Sequence, residues 1–237
     1  MKDRRWVLGA ALALIGLPVV VVPIEAVRFH RANRHNGSFV ASGVKREYLL
    51  YVPRSYDPTT PTPLIISLHG AAIWGAVQRD ISRWNDVADR EGLIVVYPSG
   101  IGGRGVRVWH EEAGPGVSRD VTFISALIDT ISTHFNIDPA RVYANGLSNG
   151  GGMSFALSCT LSHRIAAVGL VASAQLEPFK WCPDPHPVPM INFHGTADPV
   201  TPFRGGLVGG ARLQEIPEST RLDGELGRAK PVLAEPR

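Results

Sequence analysis

The chain has 237 residues, 44% hydrophobic and 19% charged, with a formal net charge of +3. That length holds one sizeable core, and the balance of apolar to charged residues excludes a disordered chain. The charge is slight and no Lys/Arg run is interleaved with aromatics, which excludes a nucleic-acid groove.

Residues 1–40 read as a signal peptide or membrane anchor plus linker. Lys2, Arg4 and Arg5 precede the uncharged stretch WVLGAALALIGLPVVVVPI, residues 6–24. A run of that length just spans a bilayer as a helix, with Pro18 as a kink, and it also fits a long secretory signal. Ile24-Glu25-Ala26 is a poor cleavage site, which favours the uncleaved anchor. Either reading exports the remainder of the chain and keeps the basic end cytoplasmic. The domain is therefore expected outside the cell, secreted or held by residues 6–24, with no other membrane contact. Cys159 and Cys182 are the only cysteines; in an oxidising compartment they can pair, and two buried thiols is the alternative. No CxxC or His/Cys cluster suggests a metal, and no cofactor is expected.

An alternating rhythm then predicts one α/β domain over 41–210. REYLLYVP, residues 46–53, alternates and stops at Pro53 like an edge strand. PLIISLHG (63–70) and LIVVYP (93–98) are short apolar runs, as in strands buried on both faces. Between them Val77, Ile81, Trp84 and Ala88 fall at helical spacing, with Gly92 as the stop. Gly100, Gly102 and Gly105 have GxGxxG spacing, but no helical period follows, so residues 97–116 read as a surface loop and not a dinucleotide site. Ile124, Leu127, Ile128, Ile131 and Phe135 share one face of a helix with Asp120 in its first turn. IDPARVYANG is a turn and a strand, NGGGMSFALSCTLSHR a helix, and IAAVGLVAS and PVPMINFHG two further strands. Strands alternating with helices imply a mostly parallel sheet covered on both faces. The tail, 211–237, carries no convincing strand.

Gly146-Leu147-Ser148-Asn149-Gly150 joins a buried strand to a helix. A serine hydroxyl is a weak nucleophile that needs exposure, a base and donors for the developing oxyanion. A sharp strand-to-helix turn exposes Ser148, and small neighbours let adjacent chain pass. The amide of Asn149, at a helix N-terminus, points to the oxyanion. A second donor is expected after PLIISLHG, from Ala71 or Ala72; a plain βα turn is the alternative there. His69 reads as structural or pocket-lining. In this architecture the acid and then the histidine follow the serine, and Asp198, in a turn set by Pro199, is the candidate acid. Trp74 and Trp109 are candidate pocket aromatics.

Taken together, YLLYVPRSYD, PLIISLHG, DPARVYANGLSNGGGM, RIAAVGLVA and FHGTADPVTPFRGG resemble the polyhydroxybutyrate depolymerase-type esterases, with feruloyl and acetylxylan esterases, over about residues 44–206. The resemblance implies an α/β-hydrolase fold, secreted carboxylic-ester hydrolysis, Ser148 as nucleophile and Asp198 as acid, on a polyester or an esterified plant polysaccharide. It also adds weight to a Cys159–Cys182 disulfide. One part of the family pattern is missing: no histidine follows His194, so none lies beyond Asp198. His194 is poorly placed as the base, and His110 is in a loop. Loss of a triad histidine costs on the order of a millionfold in kcat. The sequence-based expectation is an esterase truncated before its histidine and last strand. A dead polymer-binding protein on the same fold is the alternative, and a peptidase is a weaker third.

Overall fold

The computed structural model describes residues 35–102, 106–110, 115–173, 186–208 and 211–213. The segment 6–24 and Cys182 lie outside them. Among the described residues no helix is long and apolar enough to cross a membrane.

The strands are β1 (Gly37–Ala41), β2 (Val44–Tyr51), β3 (Thr62–Leu68), β4 (Ile94–Pro98), β5 (Ile137–Leu147), β6 (Ala167–Val171) and β7 (Met190–Phe193). They form one sheet in the order β1-β2-β4-β3-β5-β6-β7. β4, β3, β5, β6 and β7 run parallel, and β1 and β2 are antiparallel to their neighbours. The helices are α1 (Gly75–Ser82), α2 (Trp84–Glu91), α3 (Pro115–Ser132) and α4 (Asn149–Thr160).

Alternation along β3 and β4 divides the core between the two faces of the sheet. Leu64, Ile66, Leu68, Ile94 and Val96 cluster with Phe123, Leu127 and Ile131 of α3 and Met153 and Leu157 of α4. Ile65, Val95 and Tyr97 join Ala88 of α2, flanked by Trp84 and Val87. β3 and β4 are buried nearly throughout because both faces are covered, as their apolar runs predict.

Four local expectations change. β2 is not an edge strand: β1 pairs on its outer side, from Gly37, four residues before the expected start of the domain at 41. The single helix over 77–88 is two, because Arg83 takes φ 55° and breaks the ladder between α1 and α2. Gly92 does end α2, at φ 65°. The loop after β4 is not superficial, since Trp109 is buried; Gly105 lies outside the described residues. The C-terminal part forms a small hairpin, β8 (Gly206–Val208) with β9 (Ala211–Leu213), where no strand was expected. Residues 214–237 lie outside the described residues.

Candidate active site

β5 is flanked by β3 and β6 and ends at Leu147. The next residue, Ser148, takes φ 51° and ψ −122°, and α4 starts at Asn149. That conformation costs a residue with a side chain about 1–3 kcal/mol, so the surroundings must impose it. The Ser148 N–H donates to the Val171 carbonyl at 2.9 Å, and the Ser148 carbonyl accepts from the Gly151 and Gly152 amides at 2.8 and 3.1 Å. A Cβ on Gly146 would lie 2.2 Å from the Gly150 carbonyl, and one on Gly150 would lie 2.3 Å from the Leu68 oxygen. Only glycine fits at either position, so strand, serine and helix lock into a tight elbow. Ser148 is left half-buried at the carboxyl edge of the parallel strands.

The loop after β3 lies against this elbow. A Cβ on Gly70 would sit 3.7 Å from the Cβ of Ser148. Ala71 and Ala72 come next, both exposed. Ala72, at φ 62°, donates its N–H to the Arg107 carbonyl at 2.8 Å. Its amide is committed to the loop, and Ala72 is set aside as an oxyanion donor. Neither the Ala71 amide nor the Asn149 amide has a partner among the described residues; Asn149 directly follows Ser148, and Ala71 follows Gly70.

Of the three residues read as pocket candidates, His69 takes the structural of its two roles and Trp109 is withdrawn from the surface. His69 is fully buried: its Nδ1–H donates to the Gly70 carbonyl at 2.7 Å and its Nε2 accepts from the Gly100 N–H at 2.9 Å. Burial lowers its pKa to about 4, so the ring is a neutral strut. Trp109 is 2% exposed and donates its indole N–H to the His69 carbonyl at 3.0 Å, so it is no stacking platform. Trp74 caps the start of α1 and is half-buried.

Sequence reading missed what binds this loop to the elbow. The Asn149 side chain accepts the Trp109 N–H at 2.7 Å and donates to the Trp109 carbonyl at 2.9 Å. The pair imitates one rung of a β-ladder. Asparagine immediately after the serine was the available signal, read only for its backbone amide.

Asp198 lies past the end of β7 in the turn expected from Pro199. Its Oδ1 accepts the Thr201 and Val200 amides at 2.9 and 2.8 Å, and these bonds hold the carboxyl below its usual pKa. The His194 Nε2 is 2.6 Å from the Thr201 carbonyl and 3.6 Å from Asp198 Oδ2, beyond hydrogen-bond range. Leu147, Val171 and Phe193 are level across β5, β6 and β7, so Ser148, Ala172 and His194 come next in one row. Two strand spacings put about 10 Å between the Ser148 and His194 backbones. His194 is therefore out of reach of Ser148, as the sequence suggested. Nor does His110 turn to the serine; it bonds to Asp120, its Nδ1 2.9 Å from Oδ2.

Cys159, on α4, is buried and disulfide-bonded; its expected partner Cys182 is outside the described residues. Among the described residues no group of three or more His, Cys, Asp or Glu could hold a metal ion.

The sheet, its helices and the elbow define a hydrolase fold, and comparison with known proteins agrees. A thermostable esterase superposes with a TM-score of 0.53 at 22% identity, over 71% of this chain and 48% of that one. A ferulic acid esterase gives 0.50 at 22% identity, over 58% of each. The chain has the α/β-hydrolase fold. Residues 46–177 match the family model described as esterase PHB depolymerase, and the chain belongs to that family. Feruloyl esterase C of Emericella nidulans is 33% identical over 167 residues, covering 68% of this chain and 58% of that protein. A bifunctional acetylxylan esterase/xylanase of Neocallimastix patriciarum is 32% identical over 162 residues, covering 68% of this chain and 23% of that protein. The chain thus spans well under two thirds of these relatives' length.

Proposed function

We propose that the chain carries the nucleophile, acid and oxyanion donors of an exported serine carboxylic-ester hydrolase acting on esterified plant polysaccharide or polyester. The observation that carries this reading is the backbone of Ser148, held at φ 51° between two glycines that nothing else can replace. Ser148 Oγ attacks the ester carbonyl carbon and passes its proton to a histidine, which returns it to the departing alkoxide. Asp198 orients that histidine. The Asn149 and Ala71 amides hold the oxyanion, each worth about 3 kcal/mol. Water then attacks the acyl-serine and releases the acid.

Among the described residues, His69, His110, His134 and His194 are each hydrogen-bonded away from Ser148. That observation favours one second reading, a protein that binds the polymer without turning it over. Export is supported by the uncharged segment 6–24 and by the disulfide at Cys159.

Methyl ferulate and 4-nitrophenyl acetate separate the two readings. The hydrolase reading predicts release of acid that Ser148→Ala abolishes. The binding reading predicts no release, with affinity for feruloylated xylan or polyhydroxybutyrate unchanged in Ser148→Ala. Cleavage of the matching anilide would instead indicate a peptidase.

A further inference from the structure

A second feature lies on the same edge of the sheet. Tyr48 pairs with Pro98 across the antiparallel β2–β4 junction, so Arg46, two residues back, projects past the end of β4. A cavity of about 210 Å³ opens there, lined by Arg46, Ile101, Gly102, His110, Arg119 and Asp120. It lies at the end of β4, two strands across the sheet from β5.

Its charges are arranged around one buried carboxylate. Asp120 is 1% exposed, Arg46 2% and His110 38%. Asp120 Oδ1 accepts Arg46 Nη2 at 2.8 Å; its Oδ2 accepts the His110 backbone N–H and lies 2.9 Å from His110 Nδ1. Both carboxylate oxygens are thus engaged. The Arg46 guanidinium lies 3.9 Å over the Phe123 ring, which fixes its plane. Its Nε–H is buried and has no hydrogen-bond partner among the described residues. A buried guanidinium donor left unpaired costs about 1–3 kcal/mol or more, and such a group calls for an acceptor. Arg119 adds a second guanidinium to the lining. With Arg46 and Asp120 cancelling, Arg119 leaves one net positive charge on the lining.

We propose that this cavity is a binding site for a small carboxylate, either a free acid or the uronate group of a sugar. A planar monoanion matches the exposed Arg119 guanidinium fork and the single residual charge, whereas a dianion would leave one charge unmatched. The Asp120 carboxylate acts as the internal counter-ion that keeps Arg46 and His110 in position. The site needs no ester chemistry and stands or falls apart from the hydrolase reading.

The test uses the full chain, labelled with nitrogen-15, and follows the imidazole resonances of His110. Sodium glucuronate, sodium acetate, sodium chloride and glucose are titrated at matched ionic strength. The expected result is a saturable shift with glucuronate, absent with glucose and chloride. Arg119→Gln, an exposed substitution, should weaken it at least about tenfold. A shift with acetate as well would identify the carboxylate alone as the ligand, whereas glucuronate alone would point to the sugar acid. No saturable shift with either acid, or an equal shift with chloride, would overturn the site.

Discussion

At the scale of single residues the account depends on where a Cβ is allowed. Gly146 and Gly150 leave no room for one, because the atoms it would meet are backbone and cannot turn away. Gly146→Ala should cost at least about 3 kcal/mol in urea unfolding, as other overpacked backbone contacts do. Gly43, at φ 76° with open space around it, should lose far less on the same change. His69 gives a second residue-scale prediction. Its folded pKa, about 4, is below the usual histidine value, so the unfolded chain binds more protons between the two. Its contribution is complete above pH 6.5 and is lost as pH falls towards 4, by about 3 kcal/mol at most. Unfolding midpoints measured from pH 7 to 4 should fall less steeply in His69→Gln, which cannot titrate; an unchanged slope would mean the ring already shares its charge with solvent. The nucleophile and its glycines were legible because strained turns restrict residue types. The role of His69 was not, because nothing in HGAA shows that the imidazole bonds across to Gly100.

At the scale of elements, the loop after β4 carries much of the site, and hydrogen bonds from both ends of the site fasten it. Gly100 donates to His69, Ala72 to Arg107, and Trp109 exchanges two hydrogen bonds with the Asn149 side chain. Asn149→Ala removes the last pair and leaves the fold standing. Hydrogen exchange at residues 106–110 should then rise at least about tenfold, since each lost bond is worth about 1 kcal/mol, while β3 and β5 stay protected. The sequence placed β3, β4, β6 and β7 well because buried parallel strands read as continuous apolar runs. It ran α1 and α2 together because Val77, Ile81, Trp84 and Ala88 keep helical phase across Arg83, whose positive φ leaves no trace in hydropathy. It also took Asp120 for a helix-start residue, whereas α3 begins at Pro115 and Asp120 turns inward to Arg46 and His110. Long-range pairings of this kind, 74 residues apart for Arg46 and Asp120, are invisible to local pattern.

At the scale of the whole molecule, the sheet brings the candidate parts to one edge in order: the Arg46 cavity at β4, the Ala71 loop at β3, Ser148 at β5 and Asp198 beyond β7. Cys159, on the helix that follows the elbow, is disulfide-bonded. Cys159→Ser should lower stability by about 3 kcal/mol, read from the thermal midpoint with and without reductant. The fold class and the serine elbow were readable from the sequence, while the absence of a histidine after Asp198 left the base of Ser148 unassigned. The most direct test of the central claim supplies that base from solution. The chain and its Ser148→Ala variant are incubated with 4-nitrophenyl acetate and increasing imidazole, and acetylated residues are located by mass spectrometry. The account predicts acetyl on Ser148 and, above the background of imidazole alone, a rate that rises with imidazole in the unsubstituted chain and not in Ser148→Ala. Acetyl on surface lysines alone, with equal rates for the two proteins, would contradict it.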